Sequence, residues 1–136
     1  MQVQLLRVGS AIGGGLLGFY QCNSDPKRAD PIFRFGVIAD IQYCDVAPAT
    51  NFRGTETRDY RGVIAQTERA VRLWNSLDSL AFVAQLGDLI DGQNAGKYGA
   101  GLDFDAPQSA KAMDLVTGIL AGCKVPIFHA IGNHEL

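Results

Sequence analysis

Residues 82–92 read Phe-Val-Ala-Gln-Leu-Gly-Asp-Leu-Ile-Asp-Gly, an apolar run that ends abruptly in Gly-Asp. A near-continuous apolar run is typical of a strand buried on both faces, as in a parallel sheet covered by helices. Ligands bind such sheets just past the carboxyl ends of the strands, where Gly87 allows close approach and Asp88 offers a carboxylate. Because an unpaired carboxylate is costly to desolvate, we expect Asp88 to face a cation or a ring of hydrogen-bond donors.

Two other apolar runs end in a similar way. One is followed by Asp-Ile-Gln at residues 40–42, and the other by Gly-Asn-His-Glu at residues 132–135. In an extended segment side chains alternate, so Asp40 and Gln42 are predicted to project towards one point. Carboxylate, amide and imidazole groups at three strand ends together predict a metal-type site at one edge of the sheet.

The segments between these motifs predict an α/β fold. Apolar residues at a helical period place one helix over residues 60–75 and a second from about Asp105, stopped by Gly122. The three strands are predicted at residues 32–39, at residues 79–86 and within residues 125–131. The order βαβαβ implies parallel strands joined by right-handed crossovers. The polar segment 45–58 is predicted to be a loop.

Composition favours a single soluble domain. The chain has 136 residues, of which 47% are hydrophobic and 19% charged, enough for a core and too apolar for disorder. A net charge of −2 offers no basic footprint, so we expect neither a nucleic-acid partner nor a membrane partner. The three cysteines lack the spacing of a zinc site or a disulfide framework, which favours reduced thiols in a cytoplasmic protein.

Residues 1–28 precede the predicted domain, which spans residues 29–136. No acidic residue occurs before Asp25, and the apolar, Gly-rich run that follows Arg7 is short. Such a run is too short to span a membrane. We expect a poorly ordered leader, with a targeting segment as the alternative.

The three strand endings resemble the first three motifs of the calcineurin-like metallophosphoesterases. That family usually begins with Asp-x-His, and Gln42 stands where its histidine is usual. With Gln42, and with the surrounding segments, residues 33–135 are most similar to the manganese-dependent ADP-ribose/CDP-alcohol diphosphatases. The resemblance implies the first half of an α/β/β/α sandwich, and hydrolysis of the pyrophosphate bond in nucleoside diphosphate derivatives. It also implies two divalent metal ions as cofactors, which we expect to be Mn²⁺.

The same resemblance implies roles for five residues at the strand ends. Asp40 would bind the first metal ion, and Asp88 would bridge both. Gln42 would offer an amide oxygen to the first ion, and Asn133 would offer one to the second. His134 would contact the phosphate and stabilise charge in the transition state, or protonate the leaving group. In the simpler interpretation, these side chains only cap strand ends and fix turns.

Phe52 and Arg53 are the predicted substrate-binding residues. The resemblance places their loop near the nucleotide, where an aromatic ring can stack on a base and a guanidinium can grip a phosphate. The partner of the protein would be a small-molecule substrate, a nucleoside diphosphate derivative. We expect the whole protein to be monomeric.

The number of histidines bears on whether the chain is active. The family has further metal-binding histidines after the Asn-His motif, whereas this chain ends at Leu136 and has only His129 and His134. We therefore expect the N-terminal half of the catalytic domain, weakly active or inactive by itself. The alternative is a non-catalytic fragment that keeps a metal- or protein-binding surface. In either case the sheet should expose apolar side chains on the face that the other half would cover.

Overall fold

The fold is built on a four-stranded parallel sheet in the order β1-β2-β5-β6. A computed structural model of the chain describes residues 3–7, 33–50, 54–95 and 108–136. The strands are β1 (Val3–Arg7), β2 (Phe33–Ile38), β3 (Ala49–Thr50), β4 (Thr57–Arg58), β5 (Leu80–Gln85) and β6 (Ile127–His129). The helices are α1 (Val63–Asn75) and α2 (Ser109–Leu120), with a 3₁₀ turn at Gly92–Ala95. Neither helix in the described ranges has the length and apolar character that crossing a bilayer requires.

The predicted βαβαβ order is confirmed by β2, α1, β5, α2 and β6. Each of these elements lies within its predicted segment, and Asp105, the predicted start of the second helix, falls outside the described residues. The second helix ends at Leu120, and the N–H of Gly122 closes its last turn by donating to the carbonyl of Ile119 at 3.1 Å. Because consecutive strands of this unit are neighbours in the sheet, their carboxyl ends meet at one edge.

Strand β1 was not predicted. It lies within residues 1–28 and pairs in parallel with β2, in a register that runs from Val3 opposite Phe33 to Arg7 opposite Val37. These five residues form an edge strand of the described sheet. The segment has no clear apolar/polar alternation, and its strand conformation depends on hydrogen bonds to a strand distant in sequence.

One face of the sheet, the covered face, packs against both helices. It presents Gly36 and Ile38 from β2, and Val83 and Gln85 from β5. Trp74 of α1 is 1% exposed and lies directly over Gly36. The core on this side joins Ala70, Val71 and Trp74 of α1 and Ala112, Val116 and Leu120 of α2 to the strands.

The other face carries an aromatic row formed by Phe33, Phe35, Phe82 and Phe128. The rings of Phe35 and Phe82 stack with centroids 5.1 Å apart, and Phe128 meets Phe82 edge-on at 5.6 Å. Phe128 is 63% exposed. Exposed apolar side chains on one face of the sheet are thus confirmed. Burial of the central strand on both faces is wrong for this chain, because only the covered face is packed against helices.

The predicted loop at residues 45–58 contains a small antiparallel pair. Strands β3 and β4 have two residues each, with Ala49 opposite Arg58 and Thr50 opposite Thr57. Two-residue strands are too short to leave an alternating pattern in the sequence, which is why the segment was predicted to be irregular. The pair matters because it brings Arg58 back towards the end of β2.

Candidate metal centre

The ends of β2 and β5 continue side by side beyond the regular sheet. The N–H of Asp40 donates to the carbonyl of Gly87 at 3.2 Å, and the N–H of Gln42 donates to the carbonyl of Asp88 at 2.9 Å. Residues 40–43 and 87–90 therefore stay in register where the strands themselves have stopped. This arrangement places the first two predicted ligand motifs next to each other.

Three of the predicted metal ligands adopt a left-handed backbone. Asp40, Gln42 and Asp88 have φ angles of 54°, 50° and 55°, and no other non-glycine residue in the described ranges has a positive φ. The prediction that Asp40 and Gln42 lie in an extended segment is wrong, because β2 ends at Ile38 and both residues twist out of it. A left-handed non-glycine residue costs roughly 1–3 kcal/mol, and such residues cluster at functional sites.

The turns after β5 and β6 touch through two glycines. Gly87 has φ +97°, and a Cβ on it would lie 2.6 Å from the backbone nitrogen of Gly132. A Cβ on Gly132 would collide with Asp88 Oδ1 and approach Glu135 Oε2. Only residues without side chains allow this approach, which joins the second predicted motif to the third.

His134 lies against Asp88. Its backbone N–H donates to Asp88 Oδ1 at 3.1 Å, while its Nδ1 accepts a hydrogen bond from the N–H of Gly92 at 2.8 Å. Because Nδ1 is an acceptor, the neutral imidazole carries its proton on Nε2. That nitrogen lies 4.0 Å from Asp88 Oδ2. The predicted catalytic histidine and the predicted bridging carboxylate are thus brought together.

Gln42 accepts a hydrogen bond from Arg58, a residue without a predicted role. Its Oε1, the predicted metal donor, accepts a hydrogen bond from Arg58 Nη1 at 2.7 Å. The same Nη1 lies 3.6 Å from Asp91 Oδ2. The buried Asp91 also accepts a hydrogen bond from the N–H of Gln93 at 2.9 Å. Arg58 therefore links the two strand ends through side chains.

Glu135 belongs to the third motif and has no predicted role. Its carboxylate accepts hydrogen bonds from backbone N–H groups of the turns after β5 and β6.

Asn133 lies exposed between Gly132 and His134. Phe52 and Arg53 fall outside the described residues. Within the described ranges, no group of three or more His, Cys, Asp or Glu side chains is placed to hold a metal ion.

A second small core lies beside this edge of the sheet and contains Cys44, Val46 and Tyr60. Burial raises the pKa of the Cys44 thiol to about 11, and the charge of Asp91 is a smaller cause. Burial, followed by the charge of Asp91, also raises the pKa of Tyr60. Both groups are therefore protonated at neutral pH, so Cys44 is not poised as a nucleophilic thiolate.

Two comparisons found proteins that are similar to this chain in sequence or in structure. The manganese-dependent ADP-ribose/CDP-alcohol diphosphatase of Homo sapiens is 41% identical over 108 residues, which cover 79% of this chain and 29% of the relative. That of Mus musculus is 39% identical over 114 residues, which cover 83% of this chain and 31% of the relative. No family model matches the chain.

A solved structure agrees with these relatives. The crystal structure of a dimetal phosphatase from Danio rerio superposes with a TM-score of 0.66 and 40% sequence identity, covering 78% of this chain and 31% of that one. The chain spans about three-tenths of the length of the relatives it matches. The resemblance to the calcineurin-like metallophosphoesterases, and among them to the manganese-dependent ADP-ribose/CDP-alcohol diphosphatases, is therefore confirmed.

Proposed function

We propose that the whole protein hydrolyses the pyrophosphate bond of nucleoside diphosphate derivatives such as ADP-ribose and CDP-alcohols, with two Mn²⁺ ions as cofactors. The observation that carries the proposal is the left-handed backbone at Asp40, Gln42 and Asp88, side by side where two parallel strands end. The names of the relatives support the substrate class and the metal.

The residues at this edge fit a manganese centre in their donor chemistry. Asp40 and Asp88 offer carboxylate oxygens, and Gln42 and Asn133 offer amide oxygens, all of which are hard donors suited to Mn²⁺. An amide oxygen has two lone pairs, so Gln42 Oε1 can accept from Arg58 and still face a cation. A pair of divalent ions, when bound, polarises a phosphoryl oxygen and lowers the pKa of a bound water.

His134 supplies the hydrogen-bond donor of the site. Its Nδ1 is occupied by the N–H of Gly92, so only Nε2 can act on a substrate, and in the neutral ring that nitrogen is the donor. Its proximity to the Asp88 carboxylate places this donor beside the proposed bridging ligand. From there it would bind a phosphoryl oxygen and stabilise the charge that develops on it.

The remaining parts of the proposal concern substrate and setting. Phe52 would stack on the base and Arg53 would contact a phosphate, as the resemblance implies. The whole protein would be a cytoplasmic monomer, and its catalytic domain would begin near residue 29. The free thiols of Cys44 and Cys123 support a cytoplasmic location.

A second candidate is a non-catalytic module that binds a metal ion or a protein. The exposed aromatic row favours it, since a contiguous apolar surface of this kind marks an interaction site. The two candidates differ in whether turnover accompanies metal binding.

The test measures manganese binding by calorimetry together with release of AMP from ADP-ribose. It is made on the 136-residue chain and, where the reading frame continues past Leu136, on the longer product. We expect the longer product to turn over, and the chain alone to bind at most one ion weakly with little or no activity. Metal binding by the longer product without turnover would favour the non-catalytic module.

Substitutions in the same assay test the assigned ligands. Asp88→Ala in the active protein is expected to lower activity at least about a hundredfold, and Gln42→Ala is expected to lower it less. The matched control is Asp78→Ala, which removes an exposed carboxylate before β5 and should change nothing. Equal losses from Asp88→Ala and Gln42→Ala would contradict the bridging role of Asp88.

A further inference from the structure

The Glu135 carboxylate accepts four backbone hydrogen bonds. Its Oε2 accepts from the N–H of Asp88 at 2.9 Å and from the N–H of Gly132 at 2.6 Å. Its Oε1 accepts from the N–H of Leu89 at 2.5 Å and from the N–H of Ile90 at 3.3 Å. Three of these donors are consecutive residues in the turn after β5, and the fourth begins the turn after β6.

The backbone conformation of the turn after β5 leaves three N–H groups free to donate to a side chain. The positive φ angles of Gly87 and Asp88 turn the chain out of the sheet, and the N–H groups that follow converge on one point. Successive N–H groups after a left-handed residue form a concave anion-binding site. An internal carboxylate fills this one, and charge-assisted hydrogen bonds of this kind are roughly twice as strong as neutral ones.

Both oxygens of Glu135 are thereby engaged by backbone N–H groups. A carboxylate directly after Asn133 and His134 would, from sequence alone, be an obvious candidate for a metal ligand. Its geometry assigns it to the backbone instead. Glu135 acts on the turn that carries Asp88, while the neighbouring N–H of His134 holds the Asp88 side chain through Oδ1.

We infer that Glu135 is a positioning residue that holds Asp88 in its left-handed conformation and so sets the direction of the Asp88 carboxylate. The inference rests on the proposed function only in treating Asp88 as a metal ligand. Without the Glu135 carboxylate, the N–H groups of the turn lose their acceptor, and the strained conformation at Asp88 loses the bonds that offset its cost.

The test compares three variants of the 136-residue chain. Glu135→Gln keeps the shape and removes the charge and one acceptor oxygen. Glu135→Asp keeps the charge and shortens the reach. Asp114→Asn, on an exposed position of α2, makes the same change in net charge away from the site. Two quantities are measured: hydrogen exchange at individual amides of the metal-free protein, and Mn²⁺ affinity by electron paramagnetic resonance.

We expect Glu135→Gln to speed exchange at Asp88, Leu89 and Ile90 about tenfold relative to Val83 in the middle of β5. We expect it to weaken Mn²⁺ binding by about 10- to 100-fold, as loss of a residue that orients a ligand does. Glu135→Asp should fall between Glu135→Gln and the unsubstituted protein in both measurements. Asp114→Asn should change neither.

Three results would overturn the inference. The first is unchanged hydrogen exchange at the three turn amides in Glu135→Gln. The second is an equal acceleration of exchange at Val83, which would reveal a general loss of stability. The third is an unchanged Mn²⁺ affinity. If the unsubstituted chain binds no Mn²⁺, the proposed metal centre fails in this chain. The exchange measurement then decides by itself whether Glu135 positions the turn.

Discussion

The two faces of the sheet both carry large apolar side chains, and they differ greatly in how far those side chains are buried. On the covered face, Val83 is 0% exposed beneath α1 and α2. On the other face, Phe128 remains 63% exposed although it belongs to a row of four contacting rings. Apolar residues of two neighbouring strands thus differ in burial according to what packs above them. Sequence periodicity reports which side chains are apolar, and only the tertiary partner decides which of them are buried.

Of the changes that test this difference between the faces, Trp74→Ala is expected to lower the free energy of unfolding most. Trp74 is almost fully buried between α1 and the covered face, so its removal leaves a cavity that the surrounding backbone cannot fill. The free energy of unfolding should fall by about 3–5 kcal/mol. Urea denaturation followed by circular dichroism measures it, and a loss below about 1 kcal/mol would show that the covered face is not the main core.

A smaller loss is expected from Gly36→Ala. A Cβ at this position would lie 2.8 Å from Trp74 Nε1 and 3.1 Å from Val83 Cγ2, so the indole must shift. Overpacking of this kind should lower the free energy of unfolding by about 1–3 kcal/mol. Gly118→Ala is the matched control, because nothing lies within 4 Å of the added methyl group. In α2 that change should raise stability by about 0.5–1 kcal/mol, and a rise for both variants would contradict the tight contact at Gly36.

The smallest effect on stability is expected on the aromatic face. Phe128→Ser removes an exposed ring whose edge-on contact with Phe82 is worth about 0.5–1.5 kcal/mol. Binding of a hydrophobic dye and aggregation of the isolated chain should both fall. A loss of stability as large as that of Trp74→Ala would mean that Phe128 is covered in solution, for example by a second copy of the chain.

The core and the location of the site could be predicted, because both depend on local patterns. Helical periodicity selected the segments of α1 and α2, and apolar runs that end in polar residues selected the edge where Asp88 and His134 lie. The left-handed backbone of Asp40 could not be predicted, since Gly is the residue that ordinarily signals such a conformation. The bond between Gln42 and Arg58 could not be predicted either, because the segment has other arginines and only the β3–β4 pair selects this one.

Strand β1 and the role of Glu135 were not predicted because both depend on contacts between residues far apart in sequence. Strand β1 depends on pairing with a strand that follows more than twenty residues later, and the hydrogen bonds of Glu135 span up to 47 positions. A motif search detects Glu135 as a neighbour of His134, but not that its partners lie in the turn after β5. Sequence therefore predicted which turns meet, and the structure was needed to show what holds them together.

The span between Glu135 and Asp88 also sets an order of events during synthesis. A ribosome adds residues at about 5–20 per second, so residue 135 is joined roughly 2–9 seconds after residue 88. Through that interval the nascent chain carries both aspartates of the proposed centre but lacks the carboxylate that bonds the turn at Asp88. A cation that arrives before residue 135 is added would meet a turn at Asp88 that lacks its hydrogen bonds to Glu135. If Glu135 positions Asp88 as inferred, we expect metal binding at the proposed centre to follow the synthesis of residue 135.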